Sequence, residues 1–223
     1  MSDSVLEFQD VVLPGSTGHL QLTVGPHQAV LVQGSEASGV DLLPGYALAL
    51  AKPAAGRVLL FGEDVSSLPE RAVLAFRRRV GYLPAGDGLL QNLTLRDNVA
   101  LPLRFGSDLS EREIRGRLSV ILAFLGIGDV ADRRPADATE EERRRAGLAR
   151  ALAFDPPLVI LADPFDGLTV RAAAELLEAA RGGETREGSR RAVFITGQQV
   201  PTRLEPRIEA RFRLAGGELR SEN

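Results

Sequence analysis

The residues best placed to do chemistry lie in one stretch, Ala29 to Leu43, which reads AVLVQGSEASGVDLL. A short apolar run (Ala29 to Val32) meets a loop of small residues, Gly34-Ser35-Glu36-Ala37-Ser38-Gly39, and an apolar helical pattern follows from Leu42. Strand, small-residue loop and helix in that order make the frame of a phosphate-binding P-loop, whose successive backbone N–H groups point at an anion. Gly34 and Gly39 stand where G-x-x-x-x-G-K-[ST] wants its two glycines. The next two positions differ. Where the motif has lysine to neutralise phosphate and a hydroxyl to hold magnesium, this chain has Val40 and Asp41, and Glu36 adds a carboxylate to the loop. A carboxylate within ~5 Å of a phosphate oxygen costs about 3 kcal/mol at an effective dielectric of about 20.

No other cation in the sequence replaces the missing one. Lys52 is the only lysine. On an uninterrupted helix from the loop it would lie about three turns away, roughly 16 Å along the axis. His27 sits in a Gly25-Pro26 turn and reads as an ordinary exposed residue.

The elements that must position this loop are readable from periodicity. Val5 to Val12 and His19 to Val24 alternate as strands, separated by a Pro14-Gly15-Ser16 turn. After the loop, Pro44 and Gly45 bend the helix or delay it, and Pro53 and Gly56 end it. Arg57 to Gly62 is a strand, Leu68 to Arg79 a short helix with a basic end suited to the helix dipole, and Val80 to Leu83 a buried strand. From Gly86 to Arg134 the pattern is helical throughout, with helices from Asp97 to Arg104 and Leu109 to Leu125. Ser110 and Glu113 form a capping box for the second. Glu140 to Phe154 is a long helix, Leu158 to Leu161 a strand and Val170 to Arg181 a helix. Gly182 to Ser189 is a polar loop and Ala192 to Thr196 a strand. Ile208 to Leu219 closes the chain as a hairpin about Gly216-Gly217. The expected organisation is an α/β core formed by residues 1–85 and 135–223, with residues 86–134 as an inserted helical subdomain.

Composition narrows the function classes. The chain has 223 residues, 44% of them hydrophobic, which suits one packed α/β domain. A net charge of -3 gives no reason to expect nucleic acid as a partner. With no cysteine and two histidines, disulfides are excluded and no metal cluster is expected. Met1 to Asp10 lacks the basic and apolar segments of an export signal, and no apolar run approaches a membrane span.

In this order the elements resemble the ATP-binding subunits of ABC transporters over essentially the full chain, and most closely the ATPases of bacterial lipid-transport (MCE-type) systems. Several scaffold segments carry the resemblance. They are Lys52-Pro53 to Gly62, Val80-Gly81-Tyr82-Leu83, Leu93-Thr94-Leu95-Arg96-Asp97 running on to Leu103, Arg145 to Leu152, and Pro157 to Ala162 with Pro164, Gly167 and Leu168. The resemblance implies a P-loop NTPase-like fold with a mixed, mostly parallel core sheet and N-terminal antiparallel strands. It also implies site positions that depart from the family's pattern. The Q-loop glutamine falls at Ala85, the Walker B pair at Ala162 and Asp163, the switch histidine at Gly197, and the adenine-stacking aromatic near Leu13 or Pro14. The signature Leu-Ser-Gly-Gly-Gln falls on Ala138-Thr139-Glu140-Glu141-Glu142, where Thr139 also reads as a helix cap.

These departures together lead to the expectation of a pseudo-ATPase rather than an enzyme. Neither metal nor nucleotide is required as a cofactor in that reading, with room left for weak capture of ATP or phosphate. The resemblance further implies a cytoplasmic subunit peripheral to the membrane, docked on a permease through Leu93 to Asp97. It would pair with a second ABC ATPase subunit. A heterodimer is favoured over a homodimer, in which Glu140 to Glu142 would face Glu36 and Asp41. The other readings are a soluble regulator or scaffold of the same fold, and an atypical ATPase that uses backbone amides and a partner's residues.

Overall fold

The computed structural model describes residues 4–65, 67–182 and 190–222. All but Gly182 of the expected polar loop lies outside them. Two sheets and six α-helices form among the described residues, and each sheet follows from the burial pattern of its strands.

The antiparallel sheet is built from β1 (Leu6–Val12), β2 (Leu20–Val24), β4 (Ala55–Leu60) and β5 (Glu63–Asp64), in the order β2-β1-β4-β5. Along β2, buried and exposed residues alternate strictly, as in a sheet with one wet face. The register of β1 shifts after Gln9. There Gly56, at φ +82°, packs so close that a Cβ would lie 2.2 Å from the Asp10 carbonyl oxygen, so only glycine fits.

The larger sheet is mixed. It combines β3 (Ala29–Gln33), β6 (Val80–Leu83), β7 (Leu158–Ala162), β8 (Ala192–Gly197), β9 (Ala210–Ala215) and β10 (Glu218–Ser221). Their order is β10-β9-β3-β8-β7-β6, parallel except for the terminal β9–β10 hairpin. Both faces are covered, and the side chains divide by parity. Leu31, Val159, Leu161, Val193 and Ile195 pack toward the helices. Val30, Val32, Leu158, Ile160 and Phe194 pack toward the antiparallel sheet. That explains why β3, β7 and β8 read as continuous apolar runs.

The helices are α1 (Leu42–Ala47), α2 (Glu70–Arg77), α3 (Leu95–Gly106), α4 (Glu111–Phe124), α5 (Glu140–Ala151) and α6 (Val170–Arg181). Four side-chain caps set their starts. Thr94, Ser110, Thr139 and Thr169 each accept from the backbone N–H three residues on, and Ser110 and Thr139 complete capping boxes with Glu113 and Glu142.

One expected helix is much shorter than its sequence pattern. The helix after the loop spans only six residues and ends at Ala47, not near Pro53. Ala49, at a left-handed φ of +51°, turns the chain there, and the Leu50 N–H bonds back to the Gly45 carbonyl, with Arg77 of α2 bracing the turn. The Arg77 Nε donates to the Leu48 carbonyl at 2.9 Å and Nη2 to the Ala49 carbonyl at 3.1 Å. The basic end of α2 therefore serves a neighbouring helix, while Arg79 stacks its guanidinium 3.7 Å from the Phe61 ring centroid.

Candidate functional site

Strand β3 delivers the loop to the edge formed by the C-terminal ends of the parallel strands, the usual ligand edge of such sheets. The Gly34 N–H donates to the Gly197 carbonyl at 3.1 Å, tying the loop to the end of β8. A Cβ on Gly34 would stand 2.3 Å from Ser38 Oγ, which itself donates to the Ser35 carbonyl at 2.6 Å. Glu36 to Ser38 makes one 3-10 turn, with the Ser38 and Gly39 amides bonded back to Ser35 and Glu36. Ser35, Glu36 and Ala37 are exposed. Val40 is 3% exposed and packs with Val30, Val32 and Leu43, so the lysine position carries a core side chain. Asp41 is exposed at the start of α1, where its charge, after burial, helps push the Tyr46 phenol above its ordinary value. A cleft of about 390 Å³ runs beside the loop, walled by Leu13, Pro14, Glu36, Asp41 and Gly216-Gly217. The positions expected for the adenine side and the phosphate side thus share one cleft.

A second cavity, of about 540 Å³, brings together Ala85, Asp163, Arg144, Asp166 and Gln198. Asp163 follows the last residue of β7, Ala162, and has a left-handed φ of +43°. It is held there by its own N–H donating to the Thr196 carbonyl at 2.8 Å and by its Oδ1 accepting from the Gln198 N–H at 2.9 Å. The Walker B and switch positions, distant in sequence, are therefore in contact. Ala85 is placed by its neighbours: Arg150 donates to the Gly88 carbonyl at 2.7 Å, and Arg143 Nε lies 3.1 Å from Asp87.

Arg144 was not singled out by its sequence context, where it sits inside a run of three arginines. Only 3% exposed, it donates to the Asp163 carbonyl at 3.3 Å and the Asp166 carbonyl at 3.4 Å, with Nε 3.6 Å from Glu140. The signal was helical phase, because Arg144, Gly147 and Leu148 form one buried i, i+3, i+4 stripe.

The four residues expected at a partner interface are engaged within the chain. Thr139 and Glu142 exchange capping hydrogen bonds, Glu140 pairs with Arg143 and Arg144, and Glu141 lies 2.6 Å from Arg145. The electrostatic ground for preferring a heterodimer loses its free carboxylates. In the segment expected to dock a permease, Leu95 is buried, Arg96 pairs with Asp132 at 2.7 Å, and Asp97 pairs with Arg104 at 3.1 Å. Leu93 and Thr94 are half-buried in front of α3. Just beyond, the fully buried Asn98 accepts from the Leu90 N–H and donates to the Leu90 and Thr94 carbonyls.

The known proteins that this chain resembles agree with the geometry. The family model described as ABC transporter matches residues 17–166. The methionine import ATP-binding protein MetN 2 of Pseudomonas aeruginosa is 36% identical over 129 residues, covering 58% of this chain and 38% of that protein. MetN 1 of Rhodococcus jostii is 36% identical over 166 residues, covering 73% and 48%. The chain thus spans less than half the length of these relatives. Among solved structures, a dimeric bacterial ABC transporter cassette superposes with a TM-score of 0.84 at 21% identity over 98% of both chains. The Clostridium perfringens cbiO1 subunit gives 0.81 at 18% identity, over 98% of this chain and 88% of that one.

These relatives correct two expectations. They are named for methionine import, not for lipid transport, so the MCE-type branch does not stand. They are also named ATP-binding proteins, which overturns the expectation of a non-enzyme drawn from residue identities at Val40, Ala85 and Ala162. With the family model matched across the loop, the helices α3 to α5 and strand β7, on a fold shared with solved cassettes, the chain belongs to the ABC transporter family.

Proposed function

We propose that this chain is the ATP-binding and ATP-hydrolysing subunit of an ABC transporter, working on the cytoplasmic side of a membrane through a permease. The transported molecule belongs to the class in its relatives' names, a small amino acid such as methionine. The observation that carries the reading is the Gly34–Gly197 hydrogen bond, which sets the P-loop beside Asp163 on one sheet edge. No helix among the described residues is long and apolar enough to cross a membrane, so transport needs a partner that does.

The site is atypical, and its chemistry follows from what it contains. With Val40 in the core and the Gly34, Ser38 and Gly39 amides bonded to carbonyls, the loop offers phosphate only its remaining backbone amides, and the positive charge comes from a second cassette. Magnesium arriving with nucleotide needs one or two carboxylates besides the phosphates, and Asp41, which lines the cleft, would supply a hard oxygen for it. Asp163, oriented by Gln198, is the carboxylate placed to accept a proton from water. Calorimetric titration with ATP and magnesium tests the reading, followed by phosphate release from the chain bound to its co-purifying permease. Saturable binding below about 1 mM is expected. Absence of binding at several millimolar overturns it.

A further inference from the structure

The far end of α1 borders a cavity of about 270 Å³ that is separate from both clefts of the P-loop edge. Apolar side chains line it, Val58 of β4, Val65 and Leu68 after β5, and Val73 of α2, together with Tyr46 of α1. Two cations reach it, Lys52 and Arg77, and no aspartate or glutamate lines it among the described residues. Arg77 is fixed, because Nε and Nη2 already close the end of α1. Lys52 is exposed and forms no ion pair among the described residues. Next in sequence to lining residues, Leu50 and Leu74 are 62% and 52% exposed, which extends the apolar surface outward.

An apolar hollow with a few convergent polar groups is the usual make-up of a small-molecule site, and this volume falls just below the usual range of about 300–1,000 Å³, so only a compact ligand fits. Fixed and mobile cations without a carboxylate select for negative charge, and apolar walls select for an organic body over a fully hydrated inorganic ion. We infer that the hollow between α1, β4 and α2 binds a small organic carboxylate with a compact apolar body, its charge met by Lys52 and Arg77. The site concerns binding alone and stands independently of nucleotide chemistry at the other end of α1.

Proton–nitrogen NMR of the full chain tests this with isovalerate and benzoate as probes, against neutral benzamide and inorganic phosphate. Expected are saturable shifts at the amides of Ala49, Ala51, Lys52 and Val73 with either carboxylate, and at least tenfold weaker binding of benzamide and phosphate. Lys52→Ala should weaken the carboxylates about tenfold, and Ala51→Phe should fill the hollow and abolish binding. Both positions are exposed, so the variants test the site rather than the fold. Shifts that fail to saturate by about 20 mM overturn the inference. So does benzamide or phosphate binding as tightly as benzoate, or carboxylate affinity unchanged in both variants.

Discussion

Gly197 leaves room for the carboxylate of Asp163. A Cβ at position 197 would stand 2.6 Å from Asp163 Oδ1, the oxygen that accepts from the Gln198 N–H. The end of β8 thus takes its residue type from a side chain just past the end of β7. Gly197→Ala should displace that oxygen and lose a charge-assisted hydrogen bond, costing about 1–3 kcal/mol in urea unfolding. The loss should shrink markedly when Asp163 is already alanine, since the two changes remove one interaction.

Asp41 lines the phosphate cleft and forms no ion pair among the described residues. Asp41→Asn should weaken ATP binding about tenfold in calorimetry with magnesium present, and should tighten it when magnesium is chelated and only the repulsion between carboxylate and phosphate is removed. Unchanged or tighter binding with magnesium present would show that Asp41 does not hold the metal.

Asn98 spends its side chain on the Leu90 and Thr94 backbone in a fully buried setting. Asn98→Ala should destabilise the chain by about 2–4 kcal/mol, because two carbonyls and an amide lose their partner at once. Hydrogen exchange at the Leu90 amide should rise with it. A stable variant with a protected Leu90 amide would show that water replaces the side chain.

Glu209 gives a pH dependence. Burial raises its carboxyl, but hydrogen bonds from Arg181 and the Ala29 N–H outweigh that and hold it below the ordinary 4.5. A lowered folded value contributes stability above the unfolded value, and that contribution disappears as pH falls through the folded one. The stability difference between the native chain and Glu209→Gln should therefore be constant near neutrality and narrow below about pH 4.5. It should be modest, because the Glu209 side chain is 45% exposed.

Much of the fold was legible because its signals are local. The runs at β3, β7 and β8 are apolar on both faces, and the Ser110 and Thr139 capping boxes declare their helices three residues at a time. The end of α1 was not legible, since Arg77 braces it from about thirty residues away and local pattern carries no trace of that contact. Arg144 was hidden differently. Three arginines in a row read as a solvated face, although helical phase puts the middle one under Asp163. The P-loop frame is read from spacing and the other site positions from the family resemblance, whereas the expectation about activity rested on side-chain identity alone. A P-loop holds phosphate largely by backbone amides, which sequence letters do not report.

The six residues of α1 are too few to stand as a helix without support from the rest of the molecule. The turn just past them, at the Leu48 and Ala49 carbonyls, is held by Arg77 of α2, which itself packs beside the antiparallel sheet. Opening of residues 70–77 therefore releases the end of the P-loop helix in the same event. In native-state hydrogen exchange the two segments should behave as one foldon, so the order of the loop is set by a piece of chain that never touches it.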